Sequence, residues 1–345
     1  MPETNGLTAS VIRGRDAFSQ LASSWDTLAH AGMTATPFQF LAYQQAWWNH
    51  LGPGELVTVA VHNPAGDLVA IAPFYNLEGV LYFNGCTQET DYLDLIVRPE
   101  QAEAAWNAVV DCLCTSVAGW QAFDLCNIPA DSLTRSILPR LAANRGFSFV
   151  ESVHEVCPTI PLPDSFESYL ETQLDKKQRH EVRRKLRRAE GADAKLVVVG
   201  PQDDIRQAVD EFLVLLQKST PEKQAWLNEG RRAVFHEVAA AAQADGSLQL
   251  MFMEVEGQKA AALFNFEYAG RVWVYNSGLD PASFGHLSLG VVLTARAIET
   301  AIERGNREFD FLRGNEEYKY RFGAQDTTVH RLQMSRSQSG QAENN

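Results

Sequence analysis

The chain predicts an α/β protein of two halves, each a mixed, largely antiparallel sheet flanked by helices. Short β-branched and aromatic runs alternate with stretches of helical periodicity. One order of elements is written twice, without visible identity between the copies. And 345 residues suffice for two domains of ordinary size.

The first copy opens on a strand, LTASVIR (7–13), then helices over 16–31 and 37–51, the second carrying Trp47 and Trp48. Core packing accounts for at least one of these two rings. Strands follow at 56–62, 68–75 and 80–84, the first pair turned by Asn63-Pro64-Ala65-Gly66-Asp67. YLDLIV (92–97) continues the third strand or adds another. A helix over 100–118, a strand over 122–128, a helix over 132–144 and strands at 147–152 and 157–162 complete the copy.

The second copy has a strand at 196–200 and a helix over 203–219, where Ile205, Val209, Phe212 and Leu216 recur at helical spacing. Another helix over 231–244 stops at Asp245-Gly246. Strands at 248–255, 261–268 and 271–277 are joined by short glycine-containing turns, which predicts an antiparallel meander. A helix from about Ser288 places Val291, Ala295, Ile298 and Ile302 on one face and stops at Gly305. REFDFL (307–312) is a strand, 315–322 a helix or turn, and TVHRLQM (328–334) the last strand.

These elements predict a first domain over 1–163, a linker with a basic helix over 164–194, a second domain over 195–335 and a disordered tail over 336–345. In the linker, Val182, Leu186 and Ala189 form a narrow apolar stripe beside Lys176, Arg179, His180, Arg183 and Arg187. That stripe implies a helix docked on one side, with Lys177 and Arg179 free to face a cleft.

The totals exclude several classes. Hydrophobic content of 45% and charged content of 21% describe a globular chain rather than a disordered one. No apolar run is long enough to span a bilayer, and the N-terminus lacks the pattern of a signal peptide, so the expected location is the cytoplasm. A net charge of −13 argues against general nucleic-acid binding. Residues 176–188 are the exception, with eight Lys or Arg against one Glu. Cys86, Cys112, Cys114, Cys126 and Cys157 are odd in number and lie in apolar surroundings, which predicts buried free thiols and no metal site.

Candidate chemistry concentrates between Tyr275 and Phe322, where strand ends, turn residues and helix starts cluster. Acyl transfer needs a base for the nucleophile and an acid for the leaving group. Tyr275 or Tyr318 could be the acid, and Asp280 or Asp310 the base. Asp280 could equally begin an Asp-Pro turn, and Asp310 could be a structural ion pair with Arg313, Lys319 or Arg321 nearby. Asn276, Ser288, Leu289, Gly290, Arg313 and Gly314 are candidate donor contacts, because a helix N-terminus and fixed cations hold phosphate. Ser288 could instead simply cap its helix. Lys177, Arg179, Lys319, Asp91 and Tyr92 are candidate substrate contacts. No His pair stands at ligand spacing and no Ser or Cys occupies a nucleophile elbow.

Six stretches in order carry a family resemblance: TPFQFLAYQQAWWNHLG (36–52), GDLVAIAPF (66–74), DYLDLIV (91–97), KKQRHEVRRKLRRAE (176–190), YNSGLDP (275–281) and FDFLRGNEEYKYRFGA (309–324). With the repeated element order, they resemble the CelD-like branch of GNAT-type acetyltransferases, within the FemABX-like tandem GNAT proteins. The resemblance implies two tandem GNAT-like domains and transfer of an acyl group, from acetyl-CoA or another acyl-CoA, to an amine or hydroxyl. It implies a saccharide or peptide acceptor in polysaccharide or envelope metabolism. Backbone N–H groups near Asn276 would then hold the oxyanion. An aminoacyl-tRNA-dependent transferase and a non-catalytic binding module are the alternatives. The loop Phe284–Gly290 departs from the glycine spacing that many acetyl-CoA enzymes of this fold carry.

Overall fold

A computed structural model describes residues 6–86 and 89–336. The predicted tail therefore lies outside the described residues, save Arg336. The chain forms two compact units, one from residues up to 155 together with those from 328 onward, the other over 156–327.

The first unit contains β1 (Thr8–Arg13), α1 (Asp16–His30), α2 (Leu41–Leu51), β2 (Glu55–His62), β3 (Leu68–Leu77), β4 (Val80–Phe83), β5 (Ile96–Val97), α3 (Ala102–Ser116), β6 (Ala122–Pro129), α4 (Thr134–Arg145) and the first part of β7 (Ser148–Pro161). Strands β1 to β4 pair as an antiparallel meander, and β4 then pairs in parallel with β6 across the α3 crossover. The core is aromatic. Phe74 lies 5.1 Å from Phe83 and 5.2 Å from Phe123, and Trp106 caps them while its indole donates to Thr134. Trp47 is fully buried.

The second unit contains α5 (Phe166–Thr172), α6 (Lys176–Gly191), β8 (Lys195–Val198), α7 (Ile205–Ser219), α8 (Pro221–Trp226), α9 (Glu229–Asp245), β9 (Leu248–Val255), β10 (Gln258–Tyr268), β11 (Arg271–Leu279), α10 (Leu289–Glu303), β12 (Glu308–Asp310) and α11 (Glu317–Tyr320). Strands β8 to β11 form the antiparallel meander, and β11 pairs in parallel with β12 across α10. The mixed sheet with flanking helices is thus present in both units, as the sequence predicted. Helices α5, α6 and α10 cover one face of the second sheet, where Leu186, Leu293 and Ile298 meet Met251 and Phe309. On α7 and α9, Phe212 and Phe235 both meet Phe264 of β10.

The last strand of each sequence half completes the sheet of the other unit. β13 (Gln325–Ser335) pairs with β6, and the end of β7 pairs with β12. That exchange explains why the units divide at 155 and 328 and not at a linker. Residues 164–194 form α5 and α6, and their Tyr169, Leu170, Val182, Leu186 and Ala189 are core residues of the second unit.

Other expectations need correction. Only Ile96–Val97 of the 92–97 run pairs, because Tyr92 has a φ of +52° that breaks the extended path. The strands expected at 147–152 and 157–162 are one continuous strand. Cys86 and Cys126 form a disulfide rather than free thiols, since the turn after β4 returns beside β6. Cys112 and Cys157 are buried and free, whereas Cys114 is exposed. Among the described residues no helix is long and apolar enough to cross a membrane.

Candidate active site

Two strands diverge in the second unit. β11 and β12 pair only over Arg271–Trp273 and Glu308–Asp310. β11 continues to Leu279, while the chain after β12 turns away through Leu312, whose φ is +58°. Asp310 fixes that turn: its carboxylate accepts from the Leu312 amide at 2.7 Å and from Arg271 at 3.4 Å. The side chain is fully buried. Its carboxylate is thus tied to Arg271, on the neighbouring strand, a cation that sequence proximity did not suggest.

The divergence opens a cavity of about 310 Å³, walled by β11, α10 and α11. Val274, Leu263, Leu293, Phe311 and Phe322 make it apolar, and Ser277, Asp280, Ser288 and Tyr318 supply polar groups. A second depression of about 470 Å³ shares Tyr318 and Phe322 with the cavity, and shares Lys177 and Glu181 with a broad groove along α6.

A bulge shapes the β11 wall. Phe264 opposes Asn276 and Asn265 opposes Val274, which makes Tyr275 the extra residue of a β-bulge. The Tyr275 ring packs 5.4 Å from Phe235 and 5.4 Å from Phe266 and does not line the cavity. Asn276 turns its Oδ1 to the Ser277 amide at 2.9 Å and to Lys223 Nζ at 3.1 Å. That Ser277 amide is therefore already engaged. Gly278 permits α7 to pack here, since a Cβ would stand 2.7 Å from the Leu216 amide nitrogen. We expect Gly278→Ala to cost about 1–3 kcal/mol, because backbone must move. Urea unfolding checks this, and a loss below about 0.5 kcal/mol would show that α7 can retreat.

Asp280 lines the cavity, but its carboxylate accepts from Lys218 at 2.9 Å and from the Ala282 amide at 3.1 Å. The Lys218 hydrogen bond holds its pKa below the usual carboxylate range, which disfavours proton uptake. Ser288 has a φ of +56° and no side-chain capping bond; its carbonyl instead accepts from Val291 and Val292. Simple capping therefore does not explain it. Leu289 and Gly290 follow on the cavity wall. Tyr318 lines both the cavity and the depression beyond. Desolvation, then Glu316, raises its phenol pKa.

Lys319 is turned inward. Its ammonium donates to the carbonyls of Leu312, Arg313 and Gly314 at 3.3, 2.8 and 3.0 Å, and pairs with Glu316 at 2.9 Å. Arg313 and Gly314 thus contribute carbonyls to a buried ammonium, and Gly314 has a φ of +109°. Lys177 and Arg179 begin α6, where both line the broad groove. Asp91 and Tyr92 are buried in the first unit.

Sequence reasoning missed Lys223, Ser277 and Glu316. Lys223 lies in a six-residue helix, α8, that no periodicity announced. Pro221 after Thr220 was the available signal, since proline suits the first helical turn and threonine the N-cap. Lys223 Nζ reaches Ser277 O at 2.6 Å and Ser277 Oγ at 3.1 Å. Burial pulls its pKa down to about 8, against Glu316, which raises it, and with Lys319, which lowers it. Among the described residues no group of three or more His, Cys, Asp or Glu is arranged to hold a metal.

Residues 176–320 match a family model described as an acetyltransferase (GNAT) domain. Among solved structures, FemX is similar at a TM-score of 0.66 with 12% identity, covering 93% of this chain and 96% of FemX. The C-terminal domain of a protein described as a lysylphosphatidylglycerol synthetase, from Agrobacterium fabrum, is similar at 0.56 with 12% identity, covering 91% and 92%. L-PGS from Bacillus licheniformis is similar at 0.55 with 11% identity, covering 81% and 84%. No curated protein matches by sequence. The chain therefore has a GNAT-like fold, and its second unit holds the stretch that matches an acetyltransferase domain.

Proposed function

We propose that the protein is a GNAT-type acyltransferase that moves an acyl group from acetyl-CoA or another acyl-CoA to an amine or hydroxyl. The observation that carries this is the apolar cavity opened by the divergence of β11 and β12, with the N-terminus of α10 at its wall. An apolar thioester arm suits the cavity lining, and N–H groups at the start of α10 suit phosphate. The acceptor attacks the acyl carbonyl directly. Tyr318, on the cavity wall, offers its hydroxyl as a hydrogen-bond donor to the acyl group. Asp280, charged and paired, acts as an electrostatic group rather than a strong base. The CelD-like resemblance supports a saccharide or peptide precursor of polysaccharide or envelope as acceptor.

Thermal stability with acetyl-CoA, longer acyl-CoAs, free CoA and a nucleotide control tests the donor. A ligand at about 100 times its dissociation constant adds roughly 2.7 kcal/mol to the folded state. A shift specific to CoA species supports the reading; none at concentrations well above micromolar sinks it.

The α6 groove favours a second reading, an aminoacyl-tRNA donor. Glu167, Glu181, Glu190 and Glu299 in that groove are paired with Arg183, Arg184, Lys185 or Arg296, whereas Lys176, Lys177 and His180 have no carboxylate partner among the described residues. Loss of activity on RNase treatment is expected for this donor alone.

A further inference from the structure

Lys223 and Ser277 meet where the cavity wall carries its bulge, and their hydrogen bonding has a direction. A lysine ammonium has three donors and no acceptor. All three are matched, by Asn276 Oδ1 at 3.1 Å, Ser277 O at 2.6 Å and Ser277 Oγ at 3.1 Å. The bond to the hydroxyl must therefore run from lysine to serine. Ser277 Oγ accepts on one side, and its own hydrogen is left to donate elsewhere. No protein group among the described residues accepts that hydrogen, and Ser277 lines the cavity. Lys223 does not line it.

We propose that Ser277 is a catalytic proton donor to the leaving atom of the acyl donor, with Lys223 behind it as the residue that positions and reprotonates it. The assignment rests on the acyl-CoA reading above. In the step, the carbon–sulfur bond of the tetrahedral intermediate breaks and its electron pair goes to sulfur. Sulfur takes the Ser277 Oγ proton, and Oγ takes a proton from Lys223 Nζ. Lys223 is left as a neutral amine. The proton that the attacking nitrogen or oxygen releases to water restores it.

Two features favour lysine in this role. Its ammonium is held at three points, so little reorganisation accompanies the transfer. Its pKa of about 8 lies close to neutral pH, where a general acid works best. The charged groups facing it are Glu316 and Lys319, from the segment around α11. Activity that needs protonated Lys223 falls as pH rises through about 8.

The test uses the full chain, acetyl-CoA as donor and hydroxylamine as a probe acceptor, after calorimetry has measured acetyl-CoA binding. Ser277→Ala should lower kcat by roughly 100-fold or more, the usual worth of a general acid, with acetyl-CoA affinity within about threefold of wild type. Lys223→Met should give a similar loss and remove the alkaline limb of the pH profile. Lys223→Arg should move that limb beyond the accessible range, because guanidinium does not titrate there. An acetyl thioester of 4-nitrothiophenol leaves without a proton, so the Ser277→Ala defect should shrink to a few-fold with that donor. An equal defect with both donors overturns the role. A second readout needs no turnover: in protein with isotope-labelled lysine, CoA binding should move the Lys223 titration midpoint in wild type but not in Ser277→Ala. A midpoint that CoA leaves in place overturns the pair even where hydroxylamine is not accepted. Wild-type protein that binds no acetyl-CoA overturns the donor reading and the pair with it; bound acetyl-CoA with an unaffected Ser277→Ala overturns the pair alone.

Discussion

Lys319→Met should destabilise the second unit by about 3–5 kcal/mol, although methionine fits the same space. Lys319 is 3% exposed, and its ammonium is the hydrogen-bond donor for three consecutive carbonyls, those of Leu312, Arg313 and Gly314. Removing it leaves buried acceptors without a donor, and leaves Glu316 without its closest cation. Those carbonyls belong to the turn after β12, so the loss falls on the segment that holds the two strands apart. Lys319→Arg should recover only part of the loss, since a planar fork does not point three donors around one centre. Urea unfolding measures both variants. A loss below about 1 kcal/mol for Lys319→Met would mean that water replaces the ammonium.

Gly290→Phe should abolish donor binding while leaving the fold intact. A Cβ at Gly290 meets only Leu279, at 3.9 Å, so the added side chain has open space ahead of it, and that space is the cavity. Glycine within a helix costs roughly 0.5–1 kcal/mol against alanine, so the substitution need not destabilise α10. Acetyl-CoA affinity should fall by at least about 100-fold, a change of roughly 2.7 kcal/mol. Calorimetry beside a thermal melt separates the two effects. Unchanged affinity in a folded variant would show that the donor binds elsewhere.

The periodic elements were legible because burial sets their pattern. Val291, Ala295, Ile298 and Ile302 gave α10 its apolar face, and short glycine turns marked the joints between β9, β10 and β11. What stayed hidden is three-dimensional pairing. Asp310 pairs with Arg271 across a parallel strand pair, 39 residues away, a partner that proximity in sequence does not suggest. Lys223 reached Ser277 across 54 residues from a helix too short to show a period. Cys86 and Cys126 are joined by two strands that the sequence alone could not lay side by side. Of the candidate site, Asp280, Ser288, Leu289, Gly290 and Tyr318 share one cavity, whereas Tyr275 sits in an aromatic cluster and Asp91 and Tyr92 in the other unit. Turn chemistry near a strand end could locate the region, but not which side chains turn inward.

The exchange of last strands bears on how the chain is made. β6 gains its partner β13 only when residues near 335 have been synthesised, after the whole of the second unit. The second unit receives its edge strand early, from β7, and its last residue, Thr327, hydrogen-bonds back to the Cys157 carbonyl at 2.8 Å. The edge of β6 therefore stays open to any passing strand until the residues after 327 arrive. The unit that holds the candidate chemistry thus draws all its residues from one unbroken stretch, 156–327, whereas the unit that opens the chain depends on a strand made almost last.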